Sequence, residues 1–162
     1  MTNQLYAKPL PLAAPEECFF YHYMDLPTVG TVGTTWDLRE CTDQYLGQQI
    51  YQGKRVLDVG TASGFLSFEM EKRGADVVSF DMPSVDSWNF VPHHSLRPHW
   101  DQLVADRSDC HRQMQNAYWF AHQKLQSKNR VHYGNVYALP TELGNFDIIF
   151  MGMIHPPLRD PF

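Results

Sequence analysis

Apolar positions recur along this chain with two different periods. Short runs rich in β-branched and aromatic residues predict strands at Val56-Leu57-Asp58-Val59, Val77-Val78-Ser79-Phe80, Val131-His132-Tyr133 and Phe146-Asp147-Ile148-Ile149-Phe150-Met151. Residues 63–73 predict a helix that Gly74 stops as a C′ residue, and residues 106–126 predict a second, longer helix. Strands alternating with helices imply an α/β fold with parallel pairing and right-handed crossovers.

Upstream the pattern is less regular. Asp37 caps a predicted helix over 37–51, where Leu38, Cys41, Tyr45 and Leu46 fall at helical spacing. The turn and β-branched residues of 21–36 predict a short hairpin or an ordered loop. Pro9, Pro11 and Pro15 make 1–20 an extended arm over a surface, and 82–104, rich in Pro, Trp and His, is too irregular for one element.

Composition narrows the classes. The 162 residues suit one domain, and with 43% hydrophobic and 14% aromatic residues a packed core is expected rather than disorder. No apolar run has the roughly 20 residues of a membrane helix, and the first residues lack a signal-peptide pattern, so no membrane partner is expected. Cys18, Cys41 and Cys110 lack metal-ligand spacing, which fits a reducing cytoplasm. The net charge of −5 argues against a broad nucleic-acid surface.

The chemistry gathers after the first core strand. Gly60 and Gly64 allow close approach of backbone to a ligand, and the helix from about Ser63 turns its unpaired N–H groups to the same place. Asp81 ends the adjacent strand, where a carboxylate can accept hydrogen bonds from both hydroxyls of a ribose. At that point either a dinucleotide or an adenosyl compound fits. The turn Gly60-Thr61-Ala62-Ser63-Gly64 lacks the middle glycine of G-x-G-x-x-G, which disfavours a nicotinamide-dependent oxidoreductase. Asp58, two residues before Gly60, would repel a pyrophosphate and attract an ammonium or sulfonium group.

Asp58, Gly60, Ala62 and Gly64 resemble motif I, D-x-G-x-G-x-G, of class I S-adenosylmethionine-dependent methyltransferases, with Ala62 at the central glycine. Asp81 matches that family's ribose carboxylate, followed by Met82. Gly134-Asn135-Val136 matches the turn where a polar side chain reads the adenine amino group. With Trp36-Asp37-Leu38-Arg39 and Leu158-Arg159-Asp160-Pro161-Phe162, the chain is similar over 20–162 to the branch that includes tRNA wobble-uridine modifying enzymes. The resemblance implies a Rossmann-like three-layer sandwich with a mostly parallel sheet. It implies an N-terminal arm, lid and first helix over 1–52 and a cofactor-binding core over 53–162. It also implies S-adenosyl-L-methionine as cofactor and a small molecule or modified nucleoside as substrate. A catalytically degenerate binding module or partner subunit is the alternative.

Methyl transfer needs alignment, exclusion of water and, for some acceptors, removal of a proton. Gly152 and the residues after it should face the methyl group, and His155 is the candidate base. Relatives carry Leu-His-Leu-Arg-Asp-Pro here, whereas this chain has Pro157 in the histidine place. No tyrosine matches the one that holds a carboxylated cofactor, which weakens carboxymethyl transfer. His22 and Trp88 are candidate substrate or lid residues. His93, His94 and His99 lack ligand partners at a convincing spacing, so no metal is expected, and Tyr118-Trp119-Phe120 reads as core. The family's sheet has about three more strands than 162 residues supply. A truncated sequence, a partner chain or a homodimer mate is therefore expected to complete the edge; a stable monomer would instead point to closure by local elements such as the N-terminal arm.

Overall fold

The computed structural model describes residues 5–84 and 98–152. Four apolar segments form one parallel sheet: β3 (Arg55–Val59), β4 (Asp76–Asp81), β5 (Arg130–Tyr133) and β6 (Ile148–Phe150), ordered β5-β4-β3-β6. The register sets Val59 opposite Phe80, and Asp58 between Ser79 and Phe150. From β3 the chain builds outward through β4 to β5, then crosses to the other side of β3 for β6. In open parallel sheets a crevice opens beyond the carboxyl ends of the strands at such a switch. The arrangement is α/β and compatible with a Rossmann-like fold.

Helices α2 (Phe65–Lys72) and α3 (Trp100–Leu125) carry the two crossovers β3-to-β4 and β4-to-β5. Their apolar sides join Val56, Val77 and Val131 in one core that includes Phe68, Met70, Tyr118 and Phe120. This confirms Tyr118, Trp119 and Phe120 as buried core residues. The opposite sheet face buries Leu57, Val59, Val78 and Phe80 under Leu143, with Leu5, Tyr6, Val136 and Phe146 at its border. No α-helix among the described residues contributes to that second core. The return from β5 to β6 runs through 3-10 turns at Val136–Ala138 and Thr141–Leu143. The expected three layers are thus one helical layer, the sheet, and an irregular cover.

Three sequence expectations change. The helix predicted over 37–51 shrinks to α1 (Thr42–Tyr45). Asp37 is drawn into an ion pair with Arg39 at 2.7 Å, and positive φ at Gly47 and Gln48 ends the turn. The long helix starts at Trp100, ahead of the expected 106. The hairpin alternative for 21–36 is realised by β1 (Met24–Leu26) pairing antiparallel with β2 (Gly30–Val32).

The arm runs over the surface as expected, but along the other edge of the sheet. Ala7 N–H donates to the Val131 carbonyl at 2.8 Å, beside β5. At β6, the opposite edge, Ile149 is 59% exposed, and among the described residues only β3 pairs with the strand. No helix of the described residues is long and apolar enough to cross a membrane.

Candidate functional site

The loop after β3 takes its shape from alternating left-handed residues: Gly60 at φ +81°, Ala62 at +51° and Gly64 at +90°. Gly60 N–H and Thr61 N–H both donate to the Phe80 carbonyl, at 2.8 and 3.2 Å, fastening the loop to the end of β4. Gly64 then approaches the core so closely that a Cβ would lie 2.5 Å from Phe68 and 2.6 Å from Tyr118. Glycine is required there on both conformational and steric grounds.

Asp81 closes the loop from the neighbouring strand. Its carboxylate accepts from Ala62 N–H at 2.9 Å and from Met82 N–H at 2.8 Å. Burial raises its pKa, while these two N–H groups and nearby His111 pull it back. A carboxylate offers about four acceptor positions, so about two remain for a ligand's donors. The β5 end sits alongside, because Gly134 N–H donates to the Asp81 carbonyl at 2.9 Å. There the Asn135 side chain accepts from Tyr137 N–H at 2.9 Å, which fixes its orientation, and Val136 follows at the border of the second core.

Beneath the loop lies a chain of buried hydroxyls that sequence reading missed. Ser67 Oγ donates to Asp58 at 2.5 Å. A serine hydroxyl has a single proton, so its contact with Ser79 at 2.7 Å must be donated by Ser79, while Thr61 Oγ1 lies 2.9 Å away. Ser79, its proton now spent, accepts from the Tyr118 hydroxyl at 2.8 Å. The direction of the whole relay, from α3 across β4 and α2 to β3, is therefore set by ionised Asp58. Burial pushes the Asp58 carboxyl up to about 6, against the lowering effect of Ser67 and Thr61. The only sequence signal was the presence of small polar residues, Ser67 and Ser79, on otherwise apolar elements.

A cavity of about 200 Å³ opens beyond β3 and β6. Its floor holds Asp58, Gly60, Thr61 and Ala62, and its β6 side holds Phe150 and Gly152. The roof comes from the N-terminal segment, through Tyr21, His22, Trp36 and Tyr45. The roof is tied down by Ser63 Oγ, which accepts from Tyr21 N–H at 3.1 Å and His22 N–H at 3.5 Å. Trp36 bridges to the same segment through its backbone, and its indole N–H donates to Tyr21 Oη at 2.9 Å. His22 is only 9% exposed and stacks on Phe65 at 5.7 Å. Its Nδ1 has no hydrogen-bond partner, and burial lowers its pKa to about 4, so the ring is neutral near pH 7.

The fold thus brings Asp58, Gly60, Thr61, Ala62, Gly152 and His22 to one cavity, and sets Asp81, Met82, Asn135 and Val136 at adjoining strand ends. Tyr21, Trp36, Tyr45 and Phe150 are further wall residues. Trp88, His155, His93 and His94 lie outside the described residues. Among the described residues no cluster of three His, Cys, Asp or Glu could hold a metal. A larger groove of about 620 Å³ between β1, α2 and the end of α3 mixes acids and bases and lies away from the carboxyl ends of the strands. No protein-family model and no curated protein matches the chain.

Proposed function

We propose that the protein is an S-adenosylmethionine-dependent methyltransferase of the class I type, acting on a small molecule or a modified nucleoside. The observation that carries this reading is the juxtaposition of the Gly60-to-Gly64 loop with Asp81, across the adjacent parallel strands β3 and β4 and beside the switch between β3 and β6. A compound with an adenosine and a positively charged sulfur suits that groove. Asp81 has acceptor capacity left for the ribose, and Asn135 and Val136 stand where an adenine would reach from it. Asp58 supplies negative charge at the floor of the adjoining cavity. When bound, the cofactor supplies a methyl group already activated by the sulfur. The chain's own work is to hold the ribose through Asp81, to exclude water with the rings of Tyr21, Trp36, Tyr45 and Phe150, and to align an acceptor there.

Calorimetric titration with S-adenosylmethionine and, separately, NAD tests the reading. The expected result is binding of the former only. Asp81→Ala should weaken it by about 1.5–3 kcal/mol, as for loss of a charged hydrogen-bonding partner. NAD binding, or an unchanged affinity in the folded variant, would overturn the assignment.

A further inference from the structure

We propose that His111 of α3 is a positioning residue for the ribose end of the site: it fixes the peptide that follows Asp81, and with it the carboxylate that tells a ribose from a deoxyribose. This rests on the adenosyl reading of the loop and Asp81, and it concerns a side chain outside both.

The first turns of α3 are exposed or half-buried, and the first buried position along it is His111, 6% exposed. Packing alone would be met by an apolar residue there, as at Ala117 and Phe120. His111 instead brings Nε2 to 3.1 Å from the Met82 carbonyl oxygen. Met82 is thereby held at both ends, since its N–H donates to Asp81 Oδ1 at 2.8 Å. Asp81 Oδ2 takes Ala62 N–H at 2.9 Å, so each carboxylate oxygen has an internal donor. One line of contacts thus runs from α3 through Met82 and Asp81 to the glycine loop. Groups that touch a ligand keep their geometry only when other groups lock them. Burial, the largest influence, raises the Asp81 pKa, and His111 lies close enough to oppose it.

Two neighbours of Nε2 ask for opposite tautomers. The Met82 carbonyl can only accept, so it needs a proton on Nε2. The Gln115 amide nitrogen, 3.1 Å away and one turn along the helix, would need that ring nitrogen bare. The carbonyl is fixed by the main chain and by the Met82 N–H bond to Asp81, whereas a terminal amide can turn end for end and offer its oxygen. The carbonyl therefore sets the tautomer. Nε2 carries the proton and donates to Met82, and Gln115 turns its oxygen toward the ring.

S-Adenosylhomocysteine and S-(2′-deoxyadenosyl)homocysteine differ by one ribose hydroxyl. Calorimetry on the full chain should show the first binding about tenfold tighter or more, as for a hydrogen bond to a charged group. His111→Phe keeps a ring and loses the N–H, and should close that gap to under about threefold, mainly by weakening the ribose ligand. His111→Gln, which can again present an N–H to the Met82 carbonyl, should hold the gap above that level. A residue that serves packing alone would change both ligands by the same factor. Imidazole nitrogen–proton correlation spectra of the unaltered protein need no variant to fold, and should show His111 protonated at Nε2. A bare Nε2, equal binding of the two ligands by the unaltered protein, a gap kept in His111→Phe, or a gap lost equally in His111→Gln would overturn the inference alone. Failure of S-adenosylhomocysteine to bind the unaltered protein would instead overturn the adenosyl reading on which it rests.

Discussion

The floor and the roof of the cavity are bonded in opposite ways. In the floor, Asp58 is 2% exposed and Thr61, Ser67 and Ser79 are buried, yet each is satisfied within one directed chain of hydroxyls. In the roof, Trp36 is 51% exposed and His22 keeps an unpaired nitrogen. Saturated buried networks rigidify, because any movement leaves a polar group stranded. A segment whose bonds are mostly internal to it can move as a unit at lower free-energy cost. The floor is therefore the preformed half of the site, and the roof is the half that can adjust to a ligand.

The sharpest break in this contrast is at Gly64. Replacing it with Ala places a methyl group inside the Phe68 and Tyr118 rings at a φ of +90°. The expected loss is about 3–5 kcal/mol, combining overpacking with left-handed strain. Urea denaturation measures it. A loss below about 1 kcal/mol would mean that the floor yields as easily as the roof.

That division also marks what the sequence makes legible. The strand, loop, helix and second strand from Val56 to Asp81 are readable because strand period, glycines and stop signal lie within one short stretch. The carboxylates fall where strand ends must be. The hydroxyl relay is not readable, because Ser67, Ser79 and Tyr118 look like tolerated polar residues until the sheet register and α3 bring them together. The roof is legible at His22, a candidate lid residue, but its internal pairing is not. Tyr21 and Trp36 meet across a bridge that no local periodicity announces. The helix over 37–51 is overestimated because Asp37 reads equally well as a cap and as the partner of Arg39.

Protonation separates the halves next. His22 falls from its ordinary 6.5 to about 4, so its contribution to stability is present above 6.5 and is lost as pH falls toward 4. Asp58 rises from 3.8 to about 6, so its contribution is present below 3.8 and is lost as pH rises through 6. Across the interval from 4 to 6 the two trends oppose, and together they leave stability nearly flat. Asp58→Asn removes one of them. Its stability relative to the unaltered protein should be higher at pH 7 than at pH 4 by about 2 kcal/mol. A pH-independent difference in urea unfolding would show that the floor carboxyl has an ordinary pKa.

Ser63 is the joint between the halves. Ser63→Ala removes the acceptor for Tyr21 N–H and His22 N–H, and should cost about 1–2 kcal/mol. Amide exchange should speed up selectively over 19–38 while β3 and α2 keep their protection. Uniform acceleration would mean that the roof does not open separately from the floor.

The smallest effect has the opposite sign and probes the floor itself. Ala62 holds φ at +51°, flanked by Gly60 and Gly64 in the same left-handed region, and in that conformation its N–H donates to Asp81. An alanine there carries left-handed strain of about 1–2 kcal/mol that a glycine does not. Glycine, in turn, has more freedom to lose from the unfolded chain, which offsets part of the gain. Ala62→Gly should therefore stabilise the protein by only about 0.5–1 kcal/mol, read as a higher urea midpoint at unchanged slope. The loop already holds its bonded shape, so affinity for an adenosyl ligand should stay within about twofold. A destabilised variant would mean that Ala62 is held by packing of its methyl group, and the loop would then owe its shape to contacts rather than to its alternation of backbone conformations.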